Sequence, residues 1–425
     1  MRKARRARLR CAAALLALLA LPVALPAIGL AQSLEPPPPT PVPVPGGLTS
    51  PSPFPTALRT PEPSRQPPQI RAASAILADL GTGRALYESD PDQRRPIASV
   101  TKIMTALLVL ERTDPANVVT VSPEAAASRT GAGISQLGLE AGERITVEDL
   151  LYALLLQSAN DAAIALAEHV SGTVEAFVAG MNRHASRLGL RNTRFASPNG
   201  LDNTGFSSAR DLVTMTRAAF AHPLFETIVA TRFREIPSSS GPSRVIQNRN
   251  VLLWLYPGAI GGKTGFTTPA GFCLVAAAER DGVRLVTVVL GEPGEPFSDA
   301  AALLDHGFAA FELRELVREG RPFGTVPIAG REVQVVAGAS LFGLVAVDAA
   351  VRRKVTVRPG VTFPPEAGET VGFVTVSTPD MRMGRVPLVV AGVPGPPPAE
   401  PGPWWRRAGS AVLEAVSSVL SALLG

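Results

Sequence analysis

Gly262-Lys263-Thr264-Gly265-Phe266-Thr267 opens the stretch on which the fold turns, because the runs Gly271–Glu279 and Val283–Leu290 follow it almost without a break. All three read as strands. A second pair lies far upstream, where Ala75-Ile76-Leu77-Ala78-Asp79 and Ala85-Leu86-Tyr87 flank the turn Gly81-Thr82-Gly83. Between the two groups, from Ser99 to Phe220, the pattern is mainly helical, with Ala-Leu-rich stretches at 102–111, 148–169 and 209–220. A further helical stretch is expected from Ser298 to about Arg318. Strands at both ends enclosing a helical middle predict an α+β arrangement, one sheet with helices packed on it.

The rest of the chain has a different texture. From about Arg321 to Val393 short strand-like runs such as Lys354-Val355-Thr356-Val357 and Gly372-Phe373-Val374-Thr375-Val376 are broken by Gly and Pro, which predicts a small all-β domain. A Pro-rich joint follows at Gly395–Pro403. The last stretch, Trp404 to Gly425, places Arg407, Ser410, Glu414, Ser417, Ser418 and Ser421 on one helical face and Val412, Val416, Val419, Leu420 and Leu423 on the other. Such an amphipathic helix suits a membrane surface, with Trp404 and Trp405 at the headgroups and Arg406 and Arg407 near anionic lipid; packing on the protein's own core is the alternative.

At the other end, basic residues up to Arg10, the apolar run Ala12 to Leu21 and the small-residue exit Gly29-Leu30-Ala31 describe a cleavable secretory signal over 1–31. An uncleaved anchor is the alternative, although Pro22 and Pro26 interrupt the run. Either way the protein is expected to be exported and to work outside the cytoplasm. Between Glu35 and Gln69 there are 14 prolines, a composition that favours extended chain and cannot bury a core, so 32–69 reads as a tether and passive spacer.

Length and charge set further limits. The 425 residues allow two or three domains, and a hydrophobic share of 46% against 18% charged residues excludes wholesale disorder. The formal charge of +5 suggests an anionic partner until Arg2, Lys3, Arg5, Arg6, Arg8 and Arg10 are set aside: without the first 31 residues, 35 basic residues face 36 acidic ones, a net of −1. A chain this close to neutral gives no electrostatic reason to expect nucleic acid. Cys11 lies too early for lipid attachment, and Cys273, alone in the exported chain, cannot form an internal disulfide. Within Phe272 to Ala278 it reads as a small buried hydrophobe.

Four histidines, no paired cysteines and no His pair at helical spacing give no metal site, and no cofactor is expected. A Ser-His-Asp hydrolase is disfavoured too, because there is no G-x-S-x-G elbow and His169, His184, His222 and His306 read as ordinary helix or helix-end residues. Lysine usage is more informative. Of 41 basic residues only Lys3, Lys102, Lys263 and Lys354 are lysines, and an ammonium, unlike a guanidinium, can lose its proton when desolvated.

Ser99-Val100-Thr101-Lys102 opens an apolar helical run, and a spacing of three puts both side chains on one face. Burial lowers a lysine pKa, so the pair can act as nucleophile and base. The same spacing describes an N-cap serine with a solvated lysine, and it arises by chance roughly once or twice in a chain of this length. Lys263-Thr264-Gly265 is rarer, expected roughly 0.1 times per chain. There the Lys and Thr side chains can hold a carboxylate, Gly265 permits close backbone approach, and the Phe266 amide can face an oxyanion. Ser158-Ala159-Asn160, at the end of the helical run Leu150–Gln157, offers a hydroxyl for proton relay and an amide for a substrate amide; alone it is also an ordinary helix boundary.

Order and spacing join the three: 59 residues separate Ser99 from Ser158 and 105 separate Ser158 from Lys263. This is the motif set of penicillin-recognising serine acyltransferases. Residues 72–312 resemble the low-molecular-mass penicillin-binding proteins that are D-alanyl-D-alanine carboxypeptidases, through Ala98–Ala106, Ser158–Ala163, Pro198-Asn199-Gly200-Leu201, Gln247-Asn248-Arg249-Asn250 and Gly262–Thr267. The resemblance implies a β-lactamase/transpeptidase-like antiparallel sheet with a helical subdomain over 70–318, the family's β-rich domain over 319–394, a joint over 395–403 and a membrane-anchor helix over 404–425. It implies that Ser99 attacks the carbonyl between two terminal D-alanines, that Lys102 takes its proton and that Ser158 passes a proton to the leaving amine. Asn160 would orient the substrate amide, Lys263 and Thr264 would hold the terminal carboxylate beside Gly265, and the amides of Ser99 and Phe266 would form the oxyanion hole. The implied partners are the peptidoglycan pentapeptide and, as covalent inhibitors, β-lactams. A class A β-lactamase shares the spacings, but it needs a glutamate after the second motif, and His184 to Phe206 holds only Asp202. A wall-binding pseudoenzyme is the other alternative, though no motif residue is broken. Glu292–Ser298 lacks an arginine expected to help with the substrate carboxylate.

Overall fold

The computed structural model describes residues 57–392, except 61, 129–134, 203 and 380. The expected signal at 1–31, most of the Pro-rich linker, the joint at 395–403 and the terminal helix at 404–425 lie outside the described residues. No single helix among the described residues is long and apolar enough to cross a membrane.

The strands run β1 (Ser74–Asp79), β2 (Ala85–Ser89), the short ribbons β3 (Val118–Thr120) with β4 (Arg144–Thr146) and β5 (Phe233–Ile236) with β6 (Arg244–Gln247), and then β7 (Ala259–Thr267), β8 (Gly271–Arg280) and β9 (Val283–Glu292). Five of them form one antiparallel sheet in the order β2-β1-β9-β8-β7. The amino-terminal hairpin thus joins the sheet beside β9, with Ala75 opposite Val289 and Leu77 opposite Thr287. Side chains alternate between faces along a strand, and here both faces are covered. Ile76, Ala78, Val275, Ala277, Val286 and Val288 pack into a core with the helical region, whereas Ala75, Leu77, Leu274, Ala276, Leu285 and Val289 pack with Ala300, Leu303 and Leu304 of helix Pro296–Ala310. That double burial is why β8 and β9 read as near-continuous apolar runs.

The helical region contains Lys102–Leu110, whose residues 102 to 109 are all buried, and Ala209–Phe220, as the periodicity predicts. The run 148–169 is not one helix. It divides into Val147–Tyr152, a π-helical turn Ala153–Gln157 and Asn160–Ser171, because Ser158 turns left-handed at φ 65°. The helix expected to reach Arg318 stops at Ala310, and β10 (Phe311–Val317) pairs with β13 (Leu341–Ala346). The spacing of Leu313, Leu316 and Val317 suits a helix, and tertiary pairing overrides it. The sheet formed by β11 (Pro322–Ile328), β12 (Arg331–Ala337), β14 (Arg352–Val357), β15 (Thr370–Ser377) and β16 (Arg382–Gly392), ordered β11-β12-β16-β15-β14, encloses its own apolar core.

The described end of the linker is not a passive spacer. The Arg59 amide donates to Ser298 Oγ at 3.1 Å and His306 Nδ1 lies 3.1 Å from the Ser64 carbonyl; just past the linker, the amides of Arg71 and Ala72 donate to Asp299 at 2.8 and 2.9 Å. Arg65 reaches Asp348, between β13 and β14, at 2.6 Å. This segment lies along helix Pro296–Ala310 because its backbone, free of sheet pairing, finds polar partners there.

Candidate active site

Ser99 sits in a single 3-10 turn, Ala98–Thr101, which feeds helix Lys102–Leu110. The turn is wedged between two glycines. A Cβ on Gly265 of β7 would lie 2.9 Å from the Ile97 carbonyl oxygen and 3.1 Å from the Ser99 nitrogen. One on Gly200, at φ +76°, would lie 2.0 Å from the Ala98 carbonyl oxygen. Only a side chain of hydrogen lets β7 and the Pro198–Leu201 turn approach the Ser99 backbone this closely. β7 is an edge strand, so its outer side has no strand partner within the sheet.

Lys102 is fully buried, and its Nζ lies 3.0 Å from Ser99 Oγ, 2.8 Å from Asn160 Oδ1 and 2.7 Å from the Asn199 carbonyl oxygen. The last two atoms can only accept. A neutral amine therefore spends both its hydrogens on them and keeps its lone pair for the Ser99 hydroxyl proton. Asn160 is itself fixed, since its Nδ2 donates to the Ser135 carbonyl at 2.8 Å and its backbone amide donates to the same oxygen at 2.9 Å. Ser158, left-handed between the π-helical turn and the next helix, is buried, and its Oγ has no hydrogen-bond partner among the described residues. Lys263 on β7 is buried and donates to the Thr264 carbonyl at 2.9 Å, and the Phe266 ring is half-exposed and packs on Phe272 with centroids 4.5 Å apart.

Burial holds the Lys102 pKa well below the ordinary lysine value, the positive charges of Lys263 and Arg249 push it lower, and Asp161 opposes them. Lys263 is drawn down to about 7, first by burial and then by Arg249. The site therefore gathers two buried amines and the Arg249 guanidinium around the Ser99 hydroxyl.

Sequence reading placed Ser99, Lys102, Ser158, Asn160 and Lys263 to Phe266, and the hydrogen bonds unite the first two with Asn160, while β7 packs its Gly265 against the Ser99 turn. It missed the supporting groups. Asp161 is fully buried and its carboxylate accepts from the amides of Leu137, Gly138 and Leu139 at 2.8 to 3.1 Å, and so holds the segment that presents the Ser135 carbonyl. Farther along that segment Glu143 pairs with Arg244 at 2.6 Å, and Arg244 also donates to the Gly138 carbonyl at 3.1 Å. A carboxylate directly after the Ser158 motif was the available signal. Asp202 is engaged elsewhere: it accepts from Ser197 Oγ at 2.6 Å and from the amides of Thr204 and Gly205. Burial raises its pKa, but these hydrogen bonds outweigh burial and hold it below the usual carboxylate value.

The sequence profile described as D-alanyl-D-alanine carboxypeptidase matches residues 62–294. The chain belongs to the D-alanyl-D-alanine carboxypeptidase family. The carboxypeptidase DacC of Escherichia coli is 33% identical over 354 residues, 79% of this chain and 87% of that protein. DacF of Bacillus subtilis is 34% identical over 262 residues, covering 60% of this chain and 67% of the relative. The crystal structure of penicillin binding protein 5 from Haemophilus influenzae superposes with a TM-score of 0.64 at 29% identity, over 76% of this chain and 98% of the other. This carboxypeptidase-family chain shares with that solved structure a mixed fold of helices and antiparallel sheet.

Proposed function

We propose that the chain is a serine-type D-alanyl-D-alanine carboxypeptidase that removes the terminal D-alanine from peptidoglycan stem peptides and is acylated by penicillins at the same serine. The observation that carries this is Lys102 Nζ, buried and satisfied by Asn160 Oδ1 and the Asn199 carbonyl, with Ser99 Oγ at 3.0 Å. Ser99 Oγ attacks the carbonyl carbon of the scissile amide as its proton passes to Lys102. The amides of Ser99 and Phe266 stabilise the oxyanion. Ser158 relays a proton to the leaving D-alanine nitrogen, and the C–N bond breaks. Water, deprotonated by the same base, then attacks the acyl ester and frees Ser99.

Asn160 holds the substrate's backbone amide, and Lys263 and Thr264 bind its terminal carboxylate, with Arg249 adding positive charge where Glu292–Ser298 has no arginine. The β-lactamase alternative lacks a base for fast deacylation, since Asp202 is tied into its own turn. We read the carboxyl-terminal all-β portion as a domain of its own, 404–425 as an amphipathic helix lying on the membrane, and the protein as exported to the outer face of the cytoplasmic membrane. Two measurements test these readings. Intact-mass analysis after penicillin treatment should give one adduct, mapped to the Ser99 peptide; an adduct elsewhere contradicts the site. Deleting 404–425 should move the protein from the membrane fraction to the soluble one, and continued sedimentation with membranes contradicts the anchor.

A further inference from the structure

The exported chain is near neutral as a whole, but its charges are not evenly spread. In the carboxyl-terminal sheet, Val371, Val374, Val376, Val386, Leu388 and Val390 face the buried core. The opposite face of β14, β15 and β16 repeats one pattern in two rows, with a bulge in the β15–β16 pairing between them. Arg352 stands opposite Ser377, and Ser377 opposite Arg382; one step along, Lys354 stands opposite Thr375, and Thr375 opposite Arg385. Each row is a cation, a hydroxyl and a cation, with neighbouring strands about 4.8 Å apart and the rows about 7 Å apart along the strand. All four cations are exposed, and none has an ion pair among the described residues. The next row, Thr356, Phe373 and Pro387, is uncharged, and the Arg385 guanidinium lies over the Phe373 ring at 3.3 Å. These three strands carry no carboxylate on that face.

We infer that this face docks on a membrane surface rich in anionic phospholipid. Four cations without ion pairs, with hydroxyls between them, on three strands that carry no acid, complement a plane of phosphate anions. The chain leaving β16 at Gly392 has eleven residues before Trp404-Trp405-Arg406-Arg407, and extended Pro-rich chain at about 3.1 Å per residue spans roughly 35 Å, so sheet and terminal helix can reach the same surface. The inference rests in part on the membrane reading of 404–425, and the experiment separates the two.

The full chain and the variant Arg352→Gln/Lys354→Gln/Arg382→Gln/Arg385→Gln are sedimented with vesicles of phosphatidylcholine alone and with vesicles containing phosphatidylglycerol, at several salt concentrations. Each basic residue near an anionic surface strengthens binding roughly fivefold, so the variant should lose at least tenfold on anionic vesicles and nothing on neutral ones. The unmodified protein's preference for anionic vesicles should fall with salt. Unchanged cleavage of a short D-Ala-D-Ala peptide checks that the variant is folded, and the half-variants Arg352→Gln/Lys354→Gln and Arg382→Gln/Arg385→Gln should each show part of the loss. An undiminished anionic preference in the four-residue variant overturns the inference. So does a loss of binding to purified wall polymer with vesicle binding intact, which would make the face a polymer site. Deleting 404–425 addresses the helix alone, through binding to neutral vesicles.

Discussion

Asn160 turns its carbonyl oxygen, not its amide nitrogen, toward Lys102, at 2.8 Å, because that nitrogen is committed to the Ser135 carbonyl. The amide therefore accepts from the lysine without supplying a negative charge that would hold it protonated. Asn160→Asp would supply one. An adjacent opposite charge raises a lysine pKa by roughly 1–3 units, so the acid limb of acylation by a fluorescent penicillin should move to higher pH by about that much, with the rate recovering as pH rises. An acid limb that stays where wild type has it would mean that Lys102 is not the base.

Asp161 is expected to act at one remove, as a positioning residue. An asparagine there keeps the shape but offers one acceptor oxygen where the carboxylate meets the amides of Leu137, Gly138 and Leu139. It also removes the negative charge that opposes depression of the Lys102 pKa. Asp161→Asn should reduce kcat/KM by about tenfold or more through misplacement of Asn160, while the acid limb of the pH profile moves to lower pH. A loss of stability with an unmoved pH profile would assign Asp161 a purely structural role.

The two buried lysines are predicted to set the pH range. Lys102 must be neutral to act, whereas Lys263 must be charged to hold a carboxylate. With Lys263 at about 7 in the free enzyme, kcat/KM should fall on the alkaline side as KM rises. Arg249 lowers the Lys263 pKa, so Arg249→Gln should move that limb to higher pH while weakening substrate binding. A profile that stays flat from pH 7 to 9 would remove Lys263 from carboxylate binding.

Gly200→Ala and Gly265→Ala should differ in kind. The first puts a Cβ 2.0 Å from a backbone oxygen at φ +76°, so it should cost more than about 2 kcal/mol of stability as well as activity. The second meets backbone atoms at 2.9 to 3.1 Å and should chiefly push β7 from the Ser99 turn, with penicillin labelling lost and the unfolding temperature little changed. Thermal unfolding beside labelling distinguishes them, and normal labelling of Gly265→Ala would contradict the packing of β7 on that turn.

Much of this was legible in the sequence because its signals are local: apolar periodicity marked the central strands and the helices at 102–110 and 209–220, and the three short motifs marked the site. What was not legible depends on distant partners. Leu313, Leu316 and Val317 follow a helical spacing and became β10 only because Leu341–Ala346 lies alongside. Residues 59 to 69 read as spacer because proline composition says nothing about Ser298 and His306, which bind that segment. The Ser135 carbonyl and the Asn199 carbonyl are backbone atoms, and no residue type announces them.

The most direct measurement is D-alanine release from diacetyl-Lys-D-Ala-D-Ala by the purified wild-type chain and by Ser99→Ala, with fluorescent penicillin labelling followed in parallel. Wild type should release D-alanine and carry a long-lived label, and both should vanish in Ser99→Ala. Release that persists in Ser99→Ala, or a wild-type label shed within seconds without D-alanine release, would contradict a carboxypeptidase acting through Ser99.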